Sequence, residues 1–156
     1  MKTSRFDLLE RFEHWLADMD DGIARVASRL PSELRDRLDF SSESLDVLER
    51  WMLERFPSAQ HIVAPEAVVE LDGVVRYVGE TFRRLLGGRW VANVDDPQNA
   101  FYGMPLVTGF SENPTPIAPH ALVSASADRR TGCFWRTVLE NSRKRISRKS
   151  ANEDSN

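Results

Sequence analysis

Hydrophobic residues recur at helical spacing over most of this chain. Leu9, Phe12, Leu16, Met19, Ile23, Val26 and Leu30 step by three and four in turn, which predicts an amphipathic helix closed by Pro31. Gly22, after Asp20 and Asp21, is where that helix is expected to bend or break, since a glycine inside a helix costs about 1 kcal/mol against alanine. Ser41 and Ser42 suit the N-cap of a second helix, which carries Leu45, Leu48, Trp51, Met52 and Phe56 and stops at Pro57. Pro65 suits the first turn of a third, with Val68, Leu71, Val75, Val78, Phe82 and Leu85 as its stripe and Gly87-Gly88 as its left-handed stop. Gly73 and Gly79 lie inside that helix, where they call for a closely approaching neighbour or a pocket.

The period then changes. Trp90, Ala92 and Val94 alternate over residues 89–94 and predict a strand. A turn-rich stretch from Asp95 to Asn99 leads to a second strand over 104–110, which Pro105 confines to an edge or a start. Beyond a proline-rich connector, a short helix is expected from Pro119 and a last one from about Gly132, carrying Phe134, Trp135, Val138, Leu139 and Ile146. The pattern therefore predicts an α+β domain over residues 1–147, with about four helices packed on a small antiparallel hairpin or three-stranded sheet. The polar tail 148–156 is expected to be disordered.

Composition narrows the class. A length of 156 residues suits one domain, and 41% apolar with 29% charged residues argues against wholesale disorder. The lone Cys133 excludes an internal disulfide and suits a reducing compartment. Charges at Asp7, Glu10, Arg11 and Glu13 interrupt the N-terminus, so no secretory leader is expected. No apolar run reaches the roughly 18 residues of a membrane span, so a cytoplasmic protein without a membrane partner is expected.

The net charge of −3 conceals an asymmetry. Arg129, Arg130, Arg136, Arg143, Lys144, Arg145, Arg148 and Lys149 crowd residues 129–149 against Glu140 alone, leaving an acidic body. Such a basic end either complements a helix dipole and an acidic body or binds nucleic acid; for the latter the candidates are Arg143, Lys144, Arg145, Arg148 and Lys149.

Charge looks arranged in one other place. Glu80 has Arg76 four residues before it and Arg83 and Arg84 three and four after, all within reach along one helix. The cluster reads either as a carboxylate presented to a partner's amine or guanidinium or as a network that steadies the helix end. Trp90 opens the strand directly after it and, with Phe101 and Tyr102, could form an aromatic platform for a peptide. The candidate binding residues are therefore Tyr77, Glu80, Arg83, Arg84, Trp90 and Tyr102, and Trp90→Ala is expected to weaken binding without unfolding. Trp15, Trp51 and Trp135 fall on helical stripes and are expected in the core.

Catalytic signals are thin. His14, His61 and His120 lie on separate elements without a metal-ligand spacing, so no metal or cofactor is expected. Cys133, with arginines nearby and a helix start close by, is a candidate reactive thiol, and Glu80 or Cys133 would carry any enzymatic reading. No Gly-x-Ser-x-Gly or phosphate-binding loop occurs.

Two segments carry a resemblance. Asp39-Phe40-Ser41-Ser42-Glu43-Ser44-Leu45 and Tyr77-Val78-Gly79-Glu80, with Gly87-Gly88-Arg89-Trp90 after it, resemble a group of small uncharacterised bacterial proteins. Those share a D-[YF]-S-x-x-S-L helix start and a Y-x-G-E…G-G-x-W helix-to-strand passage, a match over about residues 35–110. The resemblance implies a bacterial, cytoplasmic α+β domain. Proteins of similar layout occur among immunity proteins of contact-dependent toxin systems. The function expected is non-catalytic: a protein-binding or regulatory domain of unspecified partner, with an immunity-like role as one form of it.

Overall fold

A computed structural model describes residues 3–110 and 115–154. Its helices are α1 (Arg5–Ala17), α2 (Met19–Ala27), α3 (Ser32–Arg35), α4 (Ser42–Arg55), α5 (Ala59–Ile62), α6 (Val68–Leu86), α7 (Pro119–Arg129) and α8 (Phe134–Asp154), with a 3-10 turn at Pro65–Ala67 before α6. Strands β1 (Arg89–Ala92) and β2 (Pro105–Thr108) form one antiparallel pair, with Trp90 opposite Val107. The α+β class stands. The described residues hold more helices than the expected four, because the predicted first helix is two and the connectors coil into short ones.

The first correction is physical. α1 ends at Asp18, four residues before Gly22, which lies buried inside α2. Asp18 pairs with Arg25 of α2 and stands 3.8 Å from Arg76 of α6. Gly22 is needed for approach: a Cβ there would overlap the Arg76 side chain, and one at Gly73 would overlap Val26. The two glycines let α2 and α6 cross with their backbones close together.

α6 is the axis of the core. Val74, Val75, Tyr77, Val78 and Phe82 are buried against Val26 of α2, Leu45, Leu48 and Met52 of α4, Val123 of α7, and Trp135 and Leu139 of α8. Helix ends are closed by side chains from elsewhere. Arg35 donates to the carbonyls of Ala27 and Leu30 at the end of α2. Arg130 donates to those of Leu53 and Phe56 at the end of α4. Gly87 (φ 78°) turns α6 into β1 as the Gly-Gly pair predicts. The third strand shrinks to one residue, Ile117, which bridges Val107. α8 continues as helix past Ser147 to Asp154, through residues expected to be disordered. No helix among the described residues is long and apolar enough to cross a membrane.

Candidate recognition site

The turn from α6 into β1 gathers most of the residues singled out in the sequence. Gly79 makes room for the Trp90 ring, which a Cβ at that position would overlap. Trp90 Nε1 then donates to Glu80 Oε1 at 2.6 Å. Arg83 grips both Glu80 oxygens, Nε at 2.8 Å and a terminal nitrogen at 3.0 Å, and Arg84 Nε adds a bond at 3.2 Å. Glu80 is left 6% exposed. Burial alone would push its carboxyl pKa up, but the bonds from Arg83, Trp90 and Arg84 outweigh this and hold it below the usual range.

This geometry separates the two sequence readings of Glu80. Its oxygens are occupied by its own chain, so what faces outward is the pair of arginines. Arg76, expected to join them, turns the other way: it bonds Asp72 at 2.7 Å and the Trp15 carbonyl at 2.6 Å, and its guanidinium lies over the Trp15 ring. The i,i+4 arithmetic that found Arg83 and Arg84 also reaches Asp72, which precedes Arg76 by four.

Beside the cluster, Phe40 is held at φ 62°, a left-handed conformation costly for a bulky residue. Three contacts fix it there. Its N–H donates to Tyr77 Oη (3.0 Å), its ring stacks on Tyr77 with centroids 4.8 Å apart, and the Arg84 guanidinium covers it 3.7 Å from the ring centroid. Tyr77 itself is 1% exposed and donates to Ser44 Oγ at 2.7 Å, so it supports the surface from below and does not face a partner. Burial pushes its phenol upward in pKa, which keeps it neutral.

The expected aromatic platform does not assemble. Trp90 packs edge-on against Trp15, centroids 4.9 Å apart, and no ring contact joins it to Phe101 or Tyr102 among the described residues. Tyr102 is half-buried in the β1–β2 loop, where Gly103 meets Leu8 and Asp95 pairs with Arg5, so that loop is tied to α1.

The remaining candidates fall elsewhere. Cys133 is an exposed thiol just before α8, but the first amides of that helix, Phe134 and Trp135, are already bonded by the buried Glu49 carboxylate at 3.0 and 2.9 Å. On α8, Arg143 pairs with Glu140, whereas Lys144, Arg145 and Arg148 are exposed. No group of three His, Cys, Asp or Glu among the described residues is placed to hold a metal ion.

Two groups bear on pH: His120, which the sequence offers only as an isolated histidine, and Glu70, which no motif singles out. His120, in the first turn of α7, is half-buried with no hydrogen-bond partner for Nδ1. Burial holds its imidazole below the ordinary value of 6.5, with Asp72 opposing. Glu70 is buried under Arg29 (2.5 Å) and Arg55 (2.9 Å); burial raises its carboxyl pKa, but these bonds bring it below 4.5. For His120 the unfolded chain binds the proton first, so stability declines as pH falls below 6.5. For Glu70 and Glu80 the folded state resists protonation, so their contribution is present above about 4.5 and lost as pH falls below it. Urea midpoints between about pH 2.5 and 8 are expected to show both declines, and His120→Gln to flatten only the upper one. An unchanged upper decline in that variant would assign it to other groups.

Compared with protein-family models, with curated proteins and with solved structures, the chain matches none.

Proposed function

We propose that this chain is a non-catalytic binding protein that recognises an acidic surface on another protein through Arg83 and Arg84. One observation carries the reading: Glu80 fixes both guanidiniums, and the Phe40 ring lies against that of Arg84, while the two side chains stay 35% and 43% exposed. Most surface arginines lose about 0.5–1.5 kcal/mol of side-chain freedom on docking. Here much of that ordering is already done inside the domain. Two arginines against one carboxylate leave a net positive charge. Donors not spent on Glu80 remain for planar, bidentate recognition of a carboxylate. Arginine is also enriched among the few residues that dominate protein interfaces. An immunity-like role, with an acidic toxin as the protein bound, is one form this recognition would take.

The test is quantitative capture from a lysate of the source organism, with and without nuclease, by the natural chain and by Arg83→Gln/Arg84→Gln. The natural chain is expected to retain one stoichiometric, nuclease-resistant protein. The variant should bind it about 2 kcal/mol more weakly, a loss of roughly thirty-fold. Circular dichroism guards against unfolding of the variant. Equal binding by the folded variant would remove the arginines from the interface. Capture that disappears with nuclease would transfer the function to Arg143, Lys144, Arg145, Arg148 and Lys149, the nucleic-acid alternative, with the steep salt dependence that phosphate contacts impose.

A further inference from the structure

α8 leaves the core after Ser142, its last buried side chain among those described, and turns a mixed face towards Phe110, Thr115 and Ile117. Between α8 and these residues is a cavity of about 360 Å³. That is within the range of roughly 300–1,000 Å³ typical of small-molecule sites. Phe110 and Ile117 form one wall, Val138 and Ile146 the other, and each stays partly open to solvent. Arg145 and Lys149 stand over the same space, one helical turn apart. Neither has an ion-pair partner among the described residues, unlike Arg143 on the same helix, which is held by Glu140.

An apolar trough bounded by two cations that no described residue neutralises complements one kind of ligand. Its body must be apolar enough to cover four hydrophobic side chains, and one end must carry negative charge. A neutral apolar molecule would take water from both cations and return nothing, at a cost. A polyanion such as nucleic acid would set phosphates against the apolar walls.

We infer that this groove binds a medium-chain carboxylic acid, with the chain along Phe110, Ile117, Val138 and Ile146 and the carboxylate between Arg145 and Lys149. The site shares no residue with the Arg83–Arg84 surface, so either can fail without the other.

Titration calorimetry of the full chain with decanoate, below the concentration at which it aggregates, is expected to give saturable one-to-one binding. Decyltrimethylammonium, with the same chain and the opposite charge, is expected not to compete. Arg145→Gln/Lys149→Gln changes only groove-edge side chains and should weaken decanoate binding at least ten-fold with an unchanged circular dichroism spectrum. Amide shifts on adding decanoate should centre on Phe110, Ile117, Val138 and Ile146. Absence of saturable binding overturns the inference. So does equal affinity in the double variant, effective competition by the cationic probe, or shifts centred on another face.

Discussion

Replacing Glu49 by alanine is expected to destabilise the domain by about 3–4 kcal/mol, the sum of two charge-assisted hydrogen bonds at roughly 1.5–3 kcal/mol each less partial relaxation. The side chain is fully buried, 0% exposed, and projects from α4 onto the first turn of α8. There it accepts from the Phe134 and Trp135 amides. A helix N-terminus has no carbonyl partners for its first amides and carries the positive end of the dipole. One carboxylate answers both needs while Trp135 packs, fully buried, beside it. Alanine satisfies α4 itself, so the loss falls on α8 and on the α4–α8 contact. Glu49→Gln retains one acceptor and should cost about half as much. The check is urea unfolding of both variants. For a domain whose total stability is typically about 5–15 kcal/mol, the alanine variant should shift the midpoint strongly. A loss under about 1 kcal/mol would mean that water reaches those amides as readily as the carboxylate does.

That bond also marks the boundary of what the sequence makes legible. Local chemistry can be read from it: the Ser41 cap of α4, the Gly87 stop of α6, and the period change into β1 all stand as expected. Glu80 with Arg83 and Arg84 could be read for the same reason, since partners three and four residues apart follow from helix geometry. Glu49 and the α8 amides are 85 and 86 residues apart, Arg130 and the α4 carbonyls 77 and 74, and only the packed fold brings them together. The burial of Tyr77 is hidden from the sequence for a different reason. A stripe assigns one face to the core, but α6 is enclosed on most sides, so a residue off the stripe is as buried as those on it, while Val68, first on the stripe, is exposed. Gly79, inside a helix, marks a place of close approach. What approaches is the Trp90 ring, eleven residues on, across a turn whose path the glycines set.

Trp90 supplies the second large effect. Trp90→Ala is expected to cost about 2–4 kcal/mol, somewhat below the 3–5 kcal/mol of a fully buried tryptophan because this ring is only partly enclosed. Three losses combine. The notch over Gly79 empties, the edge-on contact with Trp15 disappears, and Glu80 loses its shortest hydrogen bond. Trp90→Phe separates them in part, since it keeps an aromatic ring but removes the indole donor and the Cζ2–Cη2 edge that sits over Gly79. It should cost about 1.5–3 kcal/mol, one hydrogen bond to a charged group plus the partly emptied notch, less relaxation. The consequence for recognition runs through Glu80. With Trp90 gone the carboxylate can swing, and the arginines it fixes lose their orientation. Partner binding should therefore weaken in the phenylalanine variant too, although Trp90 need not touch the partner. The decisive comparison is stability and affinity measured together in Trp90→Phe, Arg83→Gln and their combination. If the indole acts by holding Glu80 and its arginines, the two affinity losses will be less than additive. Fully additive losses would make Trp90 a contact of its own, and an affinity unchanged in Trp90→Phe would leave it purely a packing residue.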